Sequence, residues 1–123
     1  MEQGHAIVLL ALNSANHIVG YASLYRNENS WTRHQVEIRL FVNKEYRGTG
    51  IGKHLAGEII LIAEEQNPHI VVSNIPREHP HIRVMLEKKG FNAEALLTDW
   101  LMDTDGNTHD LLIMARRMKD EAS

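Results

Sequence analysis

Between Val42 and Leu55 the chain reads Val-Asn-Lys-Glu-Tyr-Arg-Gly-Thr-Gly-Ile-Gly-Lys-His-Leu, and this stretch limits the possible folds more than any other. It follows a run that alternates like a strand, Gln35 to Val42, and leads into an amphipathic segment ending near Gln66. Gly48, Gly50 and Gly52 therefore fall at a strand-to-helix junction. The first N–H groups of a helix have no partner within it, and the aligned peptide dipoles leave partial positive charge there. Glycine allows the tight bend and removes side chains that would hold a phosphate off those N–H groups. The expectation is an anion site made of main chain.

Two familiar phosphate loops do not fit. A Walker loop around Gly52-Lys53 needs Gly at position 47 and a hydroxyl residue at 54, where the chain has Arg47 and His54. A phosphate-loop NTPase would thus have to hydrolyse nucleotide with magnesium and without that hydroxyl. The dinucleotide fingerprint, started at Gly48, needs Gly where Lys53 stands. What remains, Arg47-Gly48-Thr49-Gly50-Ile51-Gly52, has the form Arg/Gln-x-x-Gly-x-Gly/Ala and resembles the acetyl-CoA pyrophosphate loop of the GNAT superfamily of N-acetyltransferases. Val42 and Tyr46 stand where that family places Val and an aromatic residue. Glu87-Lys88-Lys89-Gly90-Phe91 is similar to its second conserved segment.

Hydropathy orders the rest. Ala6 to Leu12 and His17 to Tyr25 read as a hairpin about the loop Asn13-Ser14-Ala15-Asn16, and Arg26-Asn27-Glu28-Asn29-Ser30 closes the second run. In the third strand Val36, Ile38 and Leu40 face one way, and Gln35, Glu37, Arg39 and Phe41 the other. Ile51, Leu55, Ile59, Ile62 and Ala63 recur at helical spacing until Asn67-Pro68. Ile70 to Ile75 is a compact strand after that helix, which implies a parallel pair with a right-handed crossover. A second helix starts at Pro80, carries Ile82, Met85, Leu86 and Lys89 on one side and ends at Gly90. Ala95 to Met102 and His109 to Ala115 flank Asp103-Thr104-Asp105-Gly106-Asn107, a hairpin signal. The tail after Arg116 is charged and expected to fray.

The fold class is therefore α/β (α+β) in the order β-β-β-α-β-α-β-β, a mixed, mostly antiparallel sheet with a central parallel pair and two helices. Residues 1–123 suffice for one domain with a real core. A formal charge of -3 gives no basic field for nucleic acid. No apolar run approaches the about 20 residues that span a bilayer, and the segment before Ala6 carries Glu2 with no Lys or Arg, unlike a signal peptide. Without cysteine there is no disulfide, thiol nucleophile or zinc-thiolate site, which fits a cytoplasmic protein. Among eight histidines the closest pair is His79-x-His81, with no third ligand nearby in sequence, so no metal is expected. Trp31 and Trp100 fit either an acceptor pocket or core and hairpin packing.

The GNAT resemblance covers nearly the whole chain, and it implies a GNAT-like acetyltransferase domain over 1–123 lacking the family's first strand and two helices. Only five residues precede Ala6. It implies acetyl-CoA as acyl donor, an amine acceptor, and a homodimer covering apolar surface that those helices would cover. The main chain of Leu40, Phe41 and Val42 is expected to bind the pantetheine arm like an extra strand, with an N–H near Leu40 aimed at the thioester oxygen. Gly48, Thr49, Gly50, Ile51 and Gly52 are expected at the pyrophosphate, with Arg47 and Lys53 adding charge.

Acetyl transfer to an amine needs a base, and Glu37 stands where some family members carry a catalytic glutamate. The segment from Leu86 to Met114 is similar to ribosomal-protein N-terminal acetyltransferases, with three departures. Leu86 replaces the tyrosine that protonates the departing thiolate, Asn74 replaces a glutamate, and His79 replaces a CoA-binding asparagine but can still hydrogen-bond the cofactor and is expected to bind it. The resemblance implies an acetyl-CoA-dependent N-acetyltransferase working by direct attack. These departures keep open a non-catalytic CoA-binding or interaction module of the same fold.

Overall fold

A computed structural model describes residues 4–78 and 80–118. Its elements are β1 (Gly4–Leu12), β2 (Ile18–Asn27), β3 (Gln35–Val42), α1 (Ile51–Glu65), β4 (Ile70–Pro76), α2 (Pro80–Lys88), β5 (Asn92–Met102) and β6 (Thr108–Arg117), with a 3-10 turn at Lys44–Tyr46 before α1. The six strands form one sheet in the order β1-β2-β3-β4-β6-β5. Only β3 and β4 run parallel; every other neighbouring pair is antiparallel.

The expected element order and the central parallel pair are both present, and the differences lie at element ends. β2 continues through Asn27, taking in the first two of the polar residues expected to close it. β6 continues through Arg117, and Met118 N–H donates to His69 O at 2.9 Å, so these two residues are held by the sheet rather than frayed. Their main-chain bonds outweigh the charge of the side chains.

The alternation in β3 decides which face is core. Val36 and Ile38 meet Leu55, Ala56, Ile59, Ile60 and Ala63 of α1, Leu86 of α2, and Val71, Ile75 and Met114 of the neighbouring strands in one buried cluster. Burying a side chain of this size contributes about 1.5–3 kcal/mol, which holds a 15-residue amphipathic helix such as α1 in place. Gly90, at φ +92°, ends α2 and turns Phe91 back into the core.

Among the described residues nothing packs over the opposite face. The register sets Leu10, Tyr21 and Phe41 in one row across β1, β2 and β3. All three are exposed, and the Tyr21 and Phe41 rings stack with centroids 5.7 Å apart. Trp31 (95% exposed) and Trp100 (64%) take no part in the core.

Candidate functional site

The glycine loop lies where β3 hands over to α1. Gly48 (φ +82°) and Gly50 (φ +92°) adopt the left-handed conformation that a side chain disfavours, and nothing lies where their Cβ atoms would be. Gly52 has a different reason. A Cβ there would meet Val42 Cγ2 at 3.2 Å, so its lack of a side chain lets the first turn of α1 approach the end of β3.

The loop amides divide into two groups. Arg47 N–H and Thr49 N–H turn inward to Lys44 O and Tyr46 O, both at 3.4 Å. The amides of Gly48, Gly50, Ile51, Gly52 and Lys53 meet no acceptor among the described residues. No acidic side chain stands in the first turn of α1 to compete with an anion. Lys53 is exposed beside these amides and borders a groove of about 560 Å3 that also reaches Lys89 and Arg116. Arg47 folds back instead, its Nε donating to Val42 O at 3.3 Å. Asn13 braces the loop from the β1–β2 turn by donating to Tyr46 Oη at 3.2 Å.

Beside the loop the sheet opens. β3 and β4 pair only over Gln35–Ile38 against Ile70–Ser73. Asn43 N–H donates to Val19 O at 2.8 Å on the β2 side, and Ile70 N–H reaches His34 O at 3.4 Å on the β4 side. Main-chain direction alternates along a strand, so Leu40 and Val42 turn their N–H and C=O groups toward β4 beyond the point where pairing stops. Phe41 does not. Its main chain serves Tyr21 on β2 and its ring lies on the face opposite the core, so the structure brings Leu40 and Val42 to the seam and leaves Phe41 out.

Glu37 sits just before the parting. Its Oε2 accepts from Arg39 Nε at 3.1 Å and from Asn74 Nδ2 at 3.5 Å across the seam, while no donor among the described residues reaches Oε1. Its side chain is one-quarter exposed (25%), so the carboxylate is reachable from solvent. On the core face Ser73, fully buried, donates through Oγ to Ile38 O at 3.1 Å. Leu86, at the position where the resemblance implies a proton donor, is fully buried in the core. His79 lies outside the described residues.

A second polar cluster ties the β5–β6 hairpin to the end of β4. His109 bonds through Nδ1 to Glu78 and through Nε2 to Asp103 Oδ2 at 2.8 Å. The hydrogen bond to Asp103, then that to Glu78, raises the His109 pKa; the bond from His109, then that from Asn107 N–H, lowers Asp103. Arg77 pairs with Asp110 at 3.1 Å, and Asp99 N–H, the larger influence, and Arg77 together lower Asp110.

The sequence reading did not find Asn13, Gly20 or Ser73. A Cβ on Gly20 would lie 2.9 Å from Phe41 O and 3.2 Å from Leu55 Cδ1, so this glycine seats α1 against the sheet. A glycine inside an apolar strand was the available signal for close approach. Nothing local marked Asn13 or Ser73, whose partners lie 33 and 35 residues away.

Residues 1–91 match the sequence model of the acetyltransferase (GNAT) family. Among solved structures, ribosomal-protein-alanine N-acetyltransferase from Brucella melitensis is 28% identical, with a TM-score of 0.76 over 90% of this chain and 68% of that one. An acetyltransferase of the GNAT family from Streptococcus pneumoniae is 20% identical (TM-score 0.79; 92% of this chain, 67% of that). A GNAT superfamily phosphinothricin acetyltransferase from Sinorhizobium meliloti, in complex with AcCoA, is 24% identical (TM-score 0.77; 94% of this chain, 63% of that). The last two likenesses concern the fold alone. The chain spans about two thirds of the length of these proteins. No curated protein matches it.

Proposed function

This chain belongs to the acetyltransferase (GNAT) family, and from that premise we propose that it is an acetyl-CoA-dependent N-acetyltransferase acting on a primary amine by direct attack. One observation carries the reading. Five loop amides that meet no acceptor among the described residues, at Gly48, Gly50, Ile51, Gly52 and Lys53, lie next to a parallel strand pair that stops pairing after Ile38. The amides, with Lys53 beside them, suit a diphosphate. The N–H and C=O groups of Leu40 and the N–H of Val42 suit an amide-bearing arm laid in as an extra strand.

Acetyl-CoA, when bound, supplies an activated thioester. Leu40 N–H is the donor best placed for its carbonyl oxygen. Glu37 takes the proton from an alkyl amine, whose pKa near about 10.4 otherwise keeps it protonated at neutral pH. The nitrogen bonds to the acyl carbon, the carbon–sulfur bond breaks, and the sulfur leaves as thiolate. Leu86 offers no proton, so water supplies the one that completes the thiol.

A second reading, a CoA-binding module without efficient turnover, is favoured by the buried Leu86 and by Asn74 in place of a carboxylate. Calorimetric titration with acetyl-CoA, paired with a thiol-release assay on small amines, N-terminal alanine peptides and lysine peptides, separates the two. Binding with release that Glu37→Gln abolishes supports the enzyme. Binding without release across the amines supports the module, and absence of binding overturns both.

In the same reading residues 1–123 form one domain, the protein is cytoplasmic, and a second copy covers the exposed row of Leu10, Tyr21 and Phe41. A strict monomer in sedimentation at micromolar concentration would count against the dimer.

A further inference from the structure

The seam between β3 and β4 opens although Leu40 still offers both main-chain groups to it, and the register shows what stops the ladder. Arg77 N–H donates to Asp110 O at 3.0 Å on the β6 side. By alternation, residues 70, 72, 74 and 76 turn their main-chain groups to β3. Continuing the register of Ile38 with Ser73 would next join Leu40 N–H to Asn74 O, and then the N–H of residue 76 to Leu40 O. Residue 76 is proline, which has no N–H. Closing the strands would therefore leave Leu40 O without a donor and break the ladder between the Leu40 N–H to Asn74 O bond and the Val42 N–H to Pro76 O bond.

We infer that Pro76 is a positioning residue that holds the seam open opposite Leu40, and thereby fixes how deep an acyl arm can enter before it meets the paired strands. The inference rests on the acetyl-CoA reading given above. Ser73 fixes the lower limit of the opening by bonding Ile38 O from the core side at 3.1 Å. Pro76 stays paired in register with Leu111 on β6, so β4 keeps its other neighbour and the opening lies on one side only. Proline is tolerated in a strand where its nitrogen faces no acceptor, and here it faces the gap.

The test is amide hydrogen exchange by NMR with calorimetric titration of acetyl-CoA, on wild-type protein and on Pro76→Ala and Pro76→Gly. Both substitutions restore an N–H; the first keeps a Cβ and the second removes it. In wild-type protein the Ile38 amide is expected to be protected and the Leu40 amide to exchange quickly. Both variants should slow Leu40 exchange by about tenfold or more and weaken acetyl-CoA binding about fivefold, as one net main-chain hydrogen bond implies. A protected Leu40 amide in wild-type protein overturns the inference with no variant needed. So does unchanged Leu40 exchange in the variants, or slowed exchange with unchanged affinity. Should wild-type protein bind no acetyl-CoA, the cofactor reading falls by itself, whereas Leu40 exchange still decides whether Pro76 keeps the strands apart.

Discussion

Asn74 reaches across the point where β3 and β4 part and donates to Glu37 Oε2 at 3.5 Å, on the same oxygen that Arg39 holds at 3.1 Å. The carboxylate is steadied on one oxygen, and no described residue donates to the other. Glu37→Gln keeps the shape and removes the base, so kcat for acetyl transfer should fall about 100-fold or more, with acetyl-CoA affinity unchanged by calorimetry. Asn74→Asp places a second carboxylate against the first, and like charges favour keeping one proton. The acid limb of the kcat/KM profile should then move up by about one pH unit. An unmoved limb removes Asn74 from the account.

The loop glycines should respond to substitution in different ways. Gly50 has open space around its missing side chain but a φ of +92°, so Gly50→Ala is opposed by backbone conformation, at a cost of about 1–2 kcal/mol. Relaxing that strain would turn the amides at the start of α1. Acetyl-CoA binding should weaken more than thermal stability alone implies, read by calorimetry against the melting temperature. Gly52→Ala meets Val42 Cγ2 at 3.2 Å, a side chain that can give way, and should be milder in both measurements.

Much of this was legible in the sequence because it depends on short-range pattern. The alternation of Val36 and Ile38 with Glu37 and Arg39 shows which face of β3 is core, and glycines at 48 and 50 mark a turn only they adopt easily. What escaped depends on register. Whether Leu40 or Phe41 turns its amide to the seam is set by pairing with β2, one residue either way. The sequence left Trp31 open between a pocket and packing, and the structure places it at a turn with 95% of its surface exposed. His109, Glu78 and Asp103 gave no shared motif, since two of those positions are 31 residues apart.

The His109 cluster makes stability depend on pH in a definite direction. A histidine whose pKa is raised on folding contributes most while protonated in both states, below its ordinary value of 6.5. That contribution is lost as pH rises through the higher folded value. Asp103 and Asp110 have lowered pKa values, so their contribution is present above the ordinary 3.8 and is lost as pH falls through their folded values. The melting temperature should decline as pH rises from 6.5 through the mildly alkaline range, and His109→Gln should flatten that decline and weaken the acid-side dependence that Asp103 contributes, while the part due to Asp110, held by Asp99 N–H and Arg77, stays. An equal slope in both proteins would mean that the histidine bonds do not hold the hairpin.

Gly20 links the far side of the sheet to the loop. It lies opposite Val42 in the register of β2 and β3, under the first turns of α1, and a Cβ there would sit 2.9 Å from Phe41 O and 3.2 Å from Leu55 Cδ1. The first of these is main chain and cannot rotate away. Gly20→Ala must therefore push the end of β3 or lift the start of α1, and overpacking of this kind costs about 1–3 kcal/mol. Either displacement moves Val42 relative to the amides of Gly50 to Lys53, so the strand edge and the loop no longer address one ligand together. Melting temperature and acetyl-CoA affinity should fall together in this variant. Ser23→Ala, on the same strand but facing away from α1, should change neither by much. Full acetyl-CoA affinity in a destabilised Gly20→Ala protein would mean that the loop keeps its geometry independently of how α1 is seated.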